Sequence, residues 1–215
     1  MIDALSAGCL PPVPGLVGWW AADGDMKDRL GKSPGVGGNN NGISYAAGEV
    51  GLAFDLGGLR YVSVDHTATL TLSTSVTVEG WIFPTSPGGT IASKMAALAS
   101  AGFALSMVSS NLRFAVGGAS AASSVPLTPS TWTHVAGVSD GKNVAVYVNG
   151  QQVGTAPAAV SASAGTTEPL HIGADRDGAG LFAGNIDELA LYDRALSPDE
   201  IGAIMQAGTQ GRCKP

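Results

Sequence analysis

Acidic side chains give the sequence its clearest chemical signal. Asp23, Asp25 and Asp28 crowd one short stretch, Asp23-Gly24-Asp25-Met26-Lys27-Asp28, and Asp175 and Asp177 another, Asp175-Arg176-Asp177-Gly178. Asp187 stands inside the apolar run Gly184–Tyr192, GNIDELALY. Loop carboxylates beside glycine carbonyls suit Ca2+, which gathers roughly six to eight oxygens in adjustable geometry. They equally suit turns, because an Asp side chain accepts a hydrogen bond from the backbone two residues on. Strict alternation puts Asp187 on the side of Leu189 and Leu191, so it is expected to point partly inward. A carboxylate there needs a cation or several donors to stay charged, and Arg176 or Arg194 could serve as well as a metal.

Other reactive groups point to no catalytic centre. There is no G-x-S-x-G, no H-E-x-x-H and no phosphate-binding glycine loop. Glu79 is a lone carboxylate on its strand, expected to be paired. His66, His134 and His171 form no metal-spaced pair, and the last two read as structural strand residues. Trp20, Tyr45, Tyr61, Trp81, Phe103, Phe114, Trp132, Tyr147 and Phe182 are the aromatics on which a sugar face could stack. Trp81 and Trp132 read as core. Trp19 and Trp20 point to opposite faces, so at least one is buried. Phe182, in a glycine-flanked loop, is expected to be accessible.

Composition narrows the partners. The 215 residues carry a formal net charge of −6, and the 11 lysines and arginines are scattered singly. That balance argues against nucleic acid or an anionic membrane surface as a partner. No run of 18 apolar residues is present, so no membrane insertion is expected. The start, MIDALSAGCLPPVPG, lacks a basic beginning and a long apolar core and does not read as a signal peptide. The chain is read as part of a longer exported protein with neighbouring domains. Cys9 and Cys213 lie near opposite ends, a placement that predicts a bridge closing a loop of roughly 200 residues, about 5 kcal/mol in the entropic picture, and with it an oxidising, extracellular compartment.

These groups need a framework, and the chain supplies a β one. Trp132–Val153 alternates with period two and turns at Asp140-Gly141 and Asn149-Gly150, a β-meander; Asn-Gly favours the type I′ hairpin, whose two central residues both take positive φ. Further short strands are expected at Leu16–Ala21, Ile43–Tyr45, Leu52–Leu56, Tyr61–Val64, Val76–Phe83, Ile91–Lys94, Phe103–Met107, Leu112–Val116, Leu170–Gly173 and Gly184–Tyr192. Residues 31–42 and 156–166 read as loops, the first with room for a short ladder. One helix closes the chain: Ser197 caps it, Pro198 takes its first position, Glu200 completes a capping box, Ile201, Ile204 and Met205 form its apolar stripe, and Gly208 stops it. About a dozen short strands and one terminal helix predict an all-β, two-sheet antiparallel sandwich. Residues 1–14 form a lead-in, 15–207 the domain and 208–215 a tail.

In that order, LVGWWAADGDMKD, VGLAFDLGGLRYVSV, VTVEGWIFP, TWTHVAGVSDGKNVAVYVNGQQVG, LHIGAD and FAGNIDELALYDRALSPDEI resemble the laminin-G-like, concanavalin A-like jelly-roll superfamily, in its bacterial LamG-like form. The resemblance implies a jelly roll used as a non-catalytic module of secreted or surface proteins, binding carbohydrate or protein and often holding Ca2+. It also implies that the first and last strands pair, which would bring Asp23, Asp25, Asp28, Asp175, Asp177 and Asp187 to one rim as ligands. Glucanases of this superfamily carry E-x-D-x-E or E-x-D-x-x-E on one strand. The present chain has no such run, and the adjacent Asp187 and Glu188 are expected to face opposite ways.

Overall fold

The computed structural model describes residues 8–40, 42–96, 101–158 and 165–214; residues 1–7 of the lead-in and 159–164 of the Ala/Ser-rich loop lie outside them. Among the described residues fifteen strands and one α-helix follow in order: β1 (Leu16–Trp20), β2 (Gly35–Gly37), β3 (Ser44–Ala47), β4 (Leu52–Asp55), β5 (Val62–Val64), β6 (Ser75–Pro84), β7 (Gly89–Met95), β8 (Gly102–Val108), β9 (Asn111–Val116), β10 (Ala119–Ala122), β11 (Thr133–Asp140), β12 (Asn143–Val148), β13 (Gln151–Pro157), β14 (Leu170–Ile172), β15 (Gly184–Tyr192) and α1 (Pro198–Ala207). The short ladder foreseen in 31–42 is β2; β10 was not foreseen, because Ala-Ser-Ala-Ala carries no strand pattern.

Two antiparallel sheets form the sandwich. One runs β13-β12-β11-β6-β15-β4-β3, with β1 also on β15; the other runs β10-β9-β8-β7-β14-β5-β2. Period-two alternation packs Trp20, Phe54, Ile82, Phe103, Phe114, Val135, Val146 and Leu189 between them. The meander turns through Asn149 (φ 48°) and Gly150 (φ 76°), as the type I′ preference requires. Ser109 and Ser110 turn β8 into β9 with the same positive angles, 50° and 66°.

The first sheet has a second apolar face. Trp19, Ala136, Tyr147, Ala190 and Tyr192 point away from the sandwich core and meet Leu196, Ile201 and Ile204 of the C-terminal segment. Helix α1 has the expected capping box, with Ser197 accepting from the Glu200 N–H and Glu200 reaching back to the Ser197 N–H. Both tryptophans of β1 are thus buried, one on each face.

First and last strands do pair: Leu16 faces Tyr192 and Trp20 faces Leu189. The start of β15 is occupied differently, since Asn185 and Ile186 pair with Asp55 and Phe54 of β4. Between the two ladders β15 carries a bulge at Asp187–Glu188, where the register against β6 shifts and Glu188 takes φ 55°. A bulge inserts one residue and resets the alternation. Asp187 therefore does not share a side with Leu189 and Leu191, which join Ile186 in the inter-sheet core. Asp187 and Glu188 are also not on opposite faces, because both carboxylates project to the outer side of the sheet.

Cys9 and Cys213 are disulfide-bonded. Beside the bridge Leu10 pairs with Arg212, its N–H donating to the Gly211 carbonyl at 2.8 Å and its carbonyl accepting from the Cys213 N–H at 2.8 Å. Residues 208–213 are thereby seated on the domain.

Candidate functional site

The six aspartates separate into three arrangements. Asp28, 4 % exposed, faces four backbone N–H groups, those of Trp19, Leu30, Lys32 and Ser33, at 3.0–3.1 Å. Its carboxylate is consumed in closing its own loop. Asp175 likewise accepts from the N–H groups of Asp177 and Ala179, while its carbonyl accepts from His171 Nδ1. Asp177 pairs with Arg176 at 3.3 Å. This second loop follows β14 in the other sheet. Among the described residues no three Asp, Glu, His or Cys side chains gather in a metal-holding group.

Asp25 accepts from the Lys27 N–H at 3.1 Å within its own loop, which leaves Asp23 and Asp187, and these stand at one corner. The turn between β3 and β4 closes over them: Val50 N–H donates to Asp187 Oδ2 at 2.8 Å and Leu52 N–H to Asp23 Oδ1 at 3.3 Å. A Cβ on Gly48 would lie 2.5 Å from Asp187 Oδ2 and one on Gly51 2.4 Å from Asp23 Oδ1, so only glycines allow this approach. Lys214 and Arg29 contact Asp23, and Arg29 also meets Asp25 at 3.6 Å. Asp187 is fully buried, and its Oδ1 has no hydrogen-bond partner among the described residues. Neither arginine foreseen for it arrives: Arg194 is held by Glu200 at 2.6 Å and Arg176 by Asp177. Burial, helped by the charge of Asp23, raises its pKa from 3.8 to about 7.

A sealed charge cluster lies next to that corner. Glu79 of β6 is contacted by Arg212, by His134 Nε2 at 3.0 Å and by the Tyr192 hydroxyl at 3.5 Å. Glu188 Oε2 accepts from Trp19 Nε1 at 3.0 Å and from Arg212 Nη1 at 3.1 Å. Burial, then Asp187, pushes the Glu188 carboxyl up to about 8. A proton on it leaves the pocket neutral, with Arg212 and Glu79 as the one ion pair. Burial keeps His134 neutral by lowering it to about 4. Sequence reasoning missed Arg212, although two acids in apolar strands had to find donors. Glu79, His134, Asp187 and Glu188 are all closed from solvent.

These shifts fix a pH dependence. A buried acid with a raised pKa keeps its proton where the unfolded chain has lost it, so stability falls as pH rises through that window. The window runs from 3.8 to about 7 for Asp187 and from 4.5 to about 8 for Glu188. His134 opposes this only below its unperturbed 6.5. In chelator, thermal scans should show the melting temperature falling from pH 5.5 to pH 7.5, and Asp187→Asn should flatten the slope, chiefly below pH 7. A slope unchanged by Asp187→Asn would remove the carboxyl from this role.

Open concave surface lies elsewhere, on the outer face of β11, β12 and β13 where α1 makes a wall. Two adjoining hollows of about 450 and 500 Å3 share Tyr147, Gln152 and Pro198. Val138, Ala145 and Leu196 make an apolar floor, and Asp140, Asn143 and Thr155 line one end. Gln151, Asp199 and Gln206 line the other. The Tyr147 hydroxyl donates to Gln152 Oε1 at 3.1 Å, which turns that amide so its NH2 is left to donate. The Asn143 N–H, and then that of Lys142, hold the Asp140 carboxyl below the usual range, so it is charged at neutral pH.

The aromatics foreseen as stacking platforms are mostly spent. Phe182 is fully buried in the sandwich core, where packing between the sheets claims it despite its glycine neighbours. Trp81 is buried with its edge against His134. Trp132 is not core but half-buried, resting on Phe83 with ring centres 5.7 Å apart.

Comparison with known proteins places the fold. The sequence profile of the concanavalin A-like lectin/glucanases superfamily matches residues 56–202. No curated protein matches by sequence. Among solved structures, domain 4 of AbnA, a GH43 extracellular arabinanase from Geobacillus stearothermophilus, in complex with arabinotriose, aligns with TM-score 0.71 at 24% identity over 87% of this chain and 97% of that one. The binding domain of Paraclostridial Mosquitocidal Protein 1 aligns with TM-score 0.72 at 16% identity, over 90% of this chain and 52% of that one. The binding domain of botulinum neurotoxin DC, in complex with rat synaptotagmin II, gives TM-score 0.68 at 13% identity, over 90% and 51%. The chain thus spans about half the length of the toxin domains, and at these identities the likeness is one of fold. With the profile covering most of a two-sheet antiparallel sandwich, the chain belongs to the concanavalin A-like lectin/glucanase superfamily.

Proposed function

We propose that this domain is a non-catalytic, extracellular recognition module that binds a glycan in the groove between β12, β13 and α1. The groove carries the reading: a long hollow with an apolar floor and amide, hydroxyl and carboxylate walls matches a sugar's mixed C–H and O–H surface. Likeness over nearly the whole length of a domain whose solved complex holds arabinotriose supports it. The sealed state of Glu79, Asp187 and Glu188 supports a non-catalytic role, since acid–base work needs contact with substrate. The disulfide suits an extracellular setting. An array of plant and microbial oligosaccharides should give binding that Gln152→Ala and Tyr147→Phe weaken. A blank array would turn the reading to a protein ligand, the alternative favoured by the synaptotagmin-bound toxin neighbour.

A calcium ion at the Asp23–Asp187 corner belongs to the same proposal. The buried, unpartnered Asp187 Oδ1 and the glycine-lined turn fit a divalent cation, with carbonyls and water completing the roughly six to eight oxygens. The exposed Lys214 ammonium is the group it would displace from Asp23. Bound, the ion would hold the β3–β4 turn against β15. Because the metal takes the carboxylate form, its affinity should rise from pH 6 to pH 8. Calorimetric titration at both pH values checks this, and Asp187→Asn should abolish the heat. Equal heats from wild type and variant would end the calcium reading.

A further inference from the structure

We infer that the groove beside α1 selects uncharged oligosaccharides and rejects those bearing carboxylate or sulfate groups. This rests on the glycan-binding reading above and adds to it the ligand's charge. Neither hollow is lined by a lysine or arginine, whereas Asp140 stands in one and Asp199 in the other. Asp140 is pinned as an anion by two backbone donors, at 2.8 and 2.6 Å, so it cannot accommodate an acidic sugar by taking up a proton at neutral pH. Asp199 is exposed on the first turn of α1.

Two cations adjoin the lining in sequence and neither enters it: Lys142 lies in the exposed turn between Asp140 and Asn143 without lining the hollow, and Arg194 is withdrawn. Arg194 precedes the lining residues Ala195 and Leu196, yet its guanidinium is clamped by both Glu200 oxygens, at 2.9 and 2.6 Å, and by the Pro14 carbonyl at 2.8 Å. What remains on offer to a ligand are the Gln152 NH2, the Thr155 hydroxyl, the Gln151 and Gln206 amides and two carboxylates. Carboxylates accept from sugar hydroxyls and repel sugar anions, and like charges brought together without a compensating partner disfavour binding strongly. Selection therefore arises from the repulsive element as much as from hydrogen bonding.

The test uses matched pairs of oligosaccharides, each neutral compound beside its uronic-acid or sulfated counterpart, with the intact disulfide-bonded domain. At low salt the neutral member should bind at least about tenfold more tightly, and the ratio should shrink in 0.5 M NaCl as the repulsion is screened. The double variant D140N/D199N should bring the ratio to within about threefold. Asn at 140 still accepts the turn hydrogen bonds, and Asp199→Asn alone, on an exposed position, should shift the ratio in the same direction. Anionic and neutral members binding equally to the wild type would overturn the selectivity while leaving glycan binding intact. Binding to neither class would overturn both.

Discussion

Arg212→Ala should destabilise the fold by about 3–5 kcal/mol at neutral pH, the scale for removing one partner of a buried ion pair. Arg212 is only 4 % exposed and joins Glu79 to Glu188 beneath the C-terminal tail, with its guanidinium carbon 5.6 Å from the Trp19 ring centre. Its loss leaves Glu79 as an uncompensated anion with only His134 and Tyr192 as donors. Arg212→Lys should recover little, because an ammonium cannot span two carboxylates and lie on a ring as a planar fork does. Adding Glu79→Gln to Arg212→Ala should recover a measurable part of the loss, since it removes the stranded charge. Urea midpoints of the single and double variants give the coupling. A loss below about 1 kcal/mol for Arg212→Ala, against that scale, would show that the guanidinium does not hold this pocket together.

Breaking the bridge should cost about as much by a different route. Replacing Cys9 and Cys213 by alanine frees a loop with ends 204 positions apart in sequence, and the entropic model assigns about 5 kcal/mol to such a closure. The two effects should not add. Cys213 is the neighbour of Arg212, and the short Leu10–Arg212 pairing beside the bridge delivers the guanidinium to its acids. Once the tail is released, the arginine spends part of its time in water. Arg212→Ala should therefore cost less in the bridgeless protein than in the native one, and denaturation of the four variants measures the difference. Strict additivity would mean that the bridge acts on the unfolded chain alone.

Local spacing was enough to read the strands, the meander and the helix, because each rests on contacts between near neighbours, and the number of short strands then implied the sandwich. Asn149-Gly150 needs only its own dihedrals, and Ser197 with Glu200 needs only one turn of helix. The pairing of β1 with β15 came from the family resemblance and holds. Side-chain direction failed where one residue broke the period. Nothing in GNIDELALY announces that Glu188 will take a positive φ, yet that bulge moves Asp187 off the core face and sets it beside Glu188. The aspartates divide for a related reason. Spacing shows that each can accept from a backbone N–H, but which donors face it depends on neighbouring strands, and Asp28 meets four while Asp187 keeps an oxygen bare. The groove was invisible for want of any motif, being shaped by Tyr147 and Gln152 of one hairpin against Pro198 from a segment distant in sequence.

Covalent closure at the two ends also decides how the domain answers mechanical load. With Cys9 and Cys213 joined, tension applied from outside the bridged pair runs across the sulfur–sulfur link. No strand of either sheet lies in series with that path. Stretched between whatever it is tethered to, the oxidised domain acts as an inextensible bead, and only after reduction does the pull reach β1 and β15.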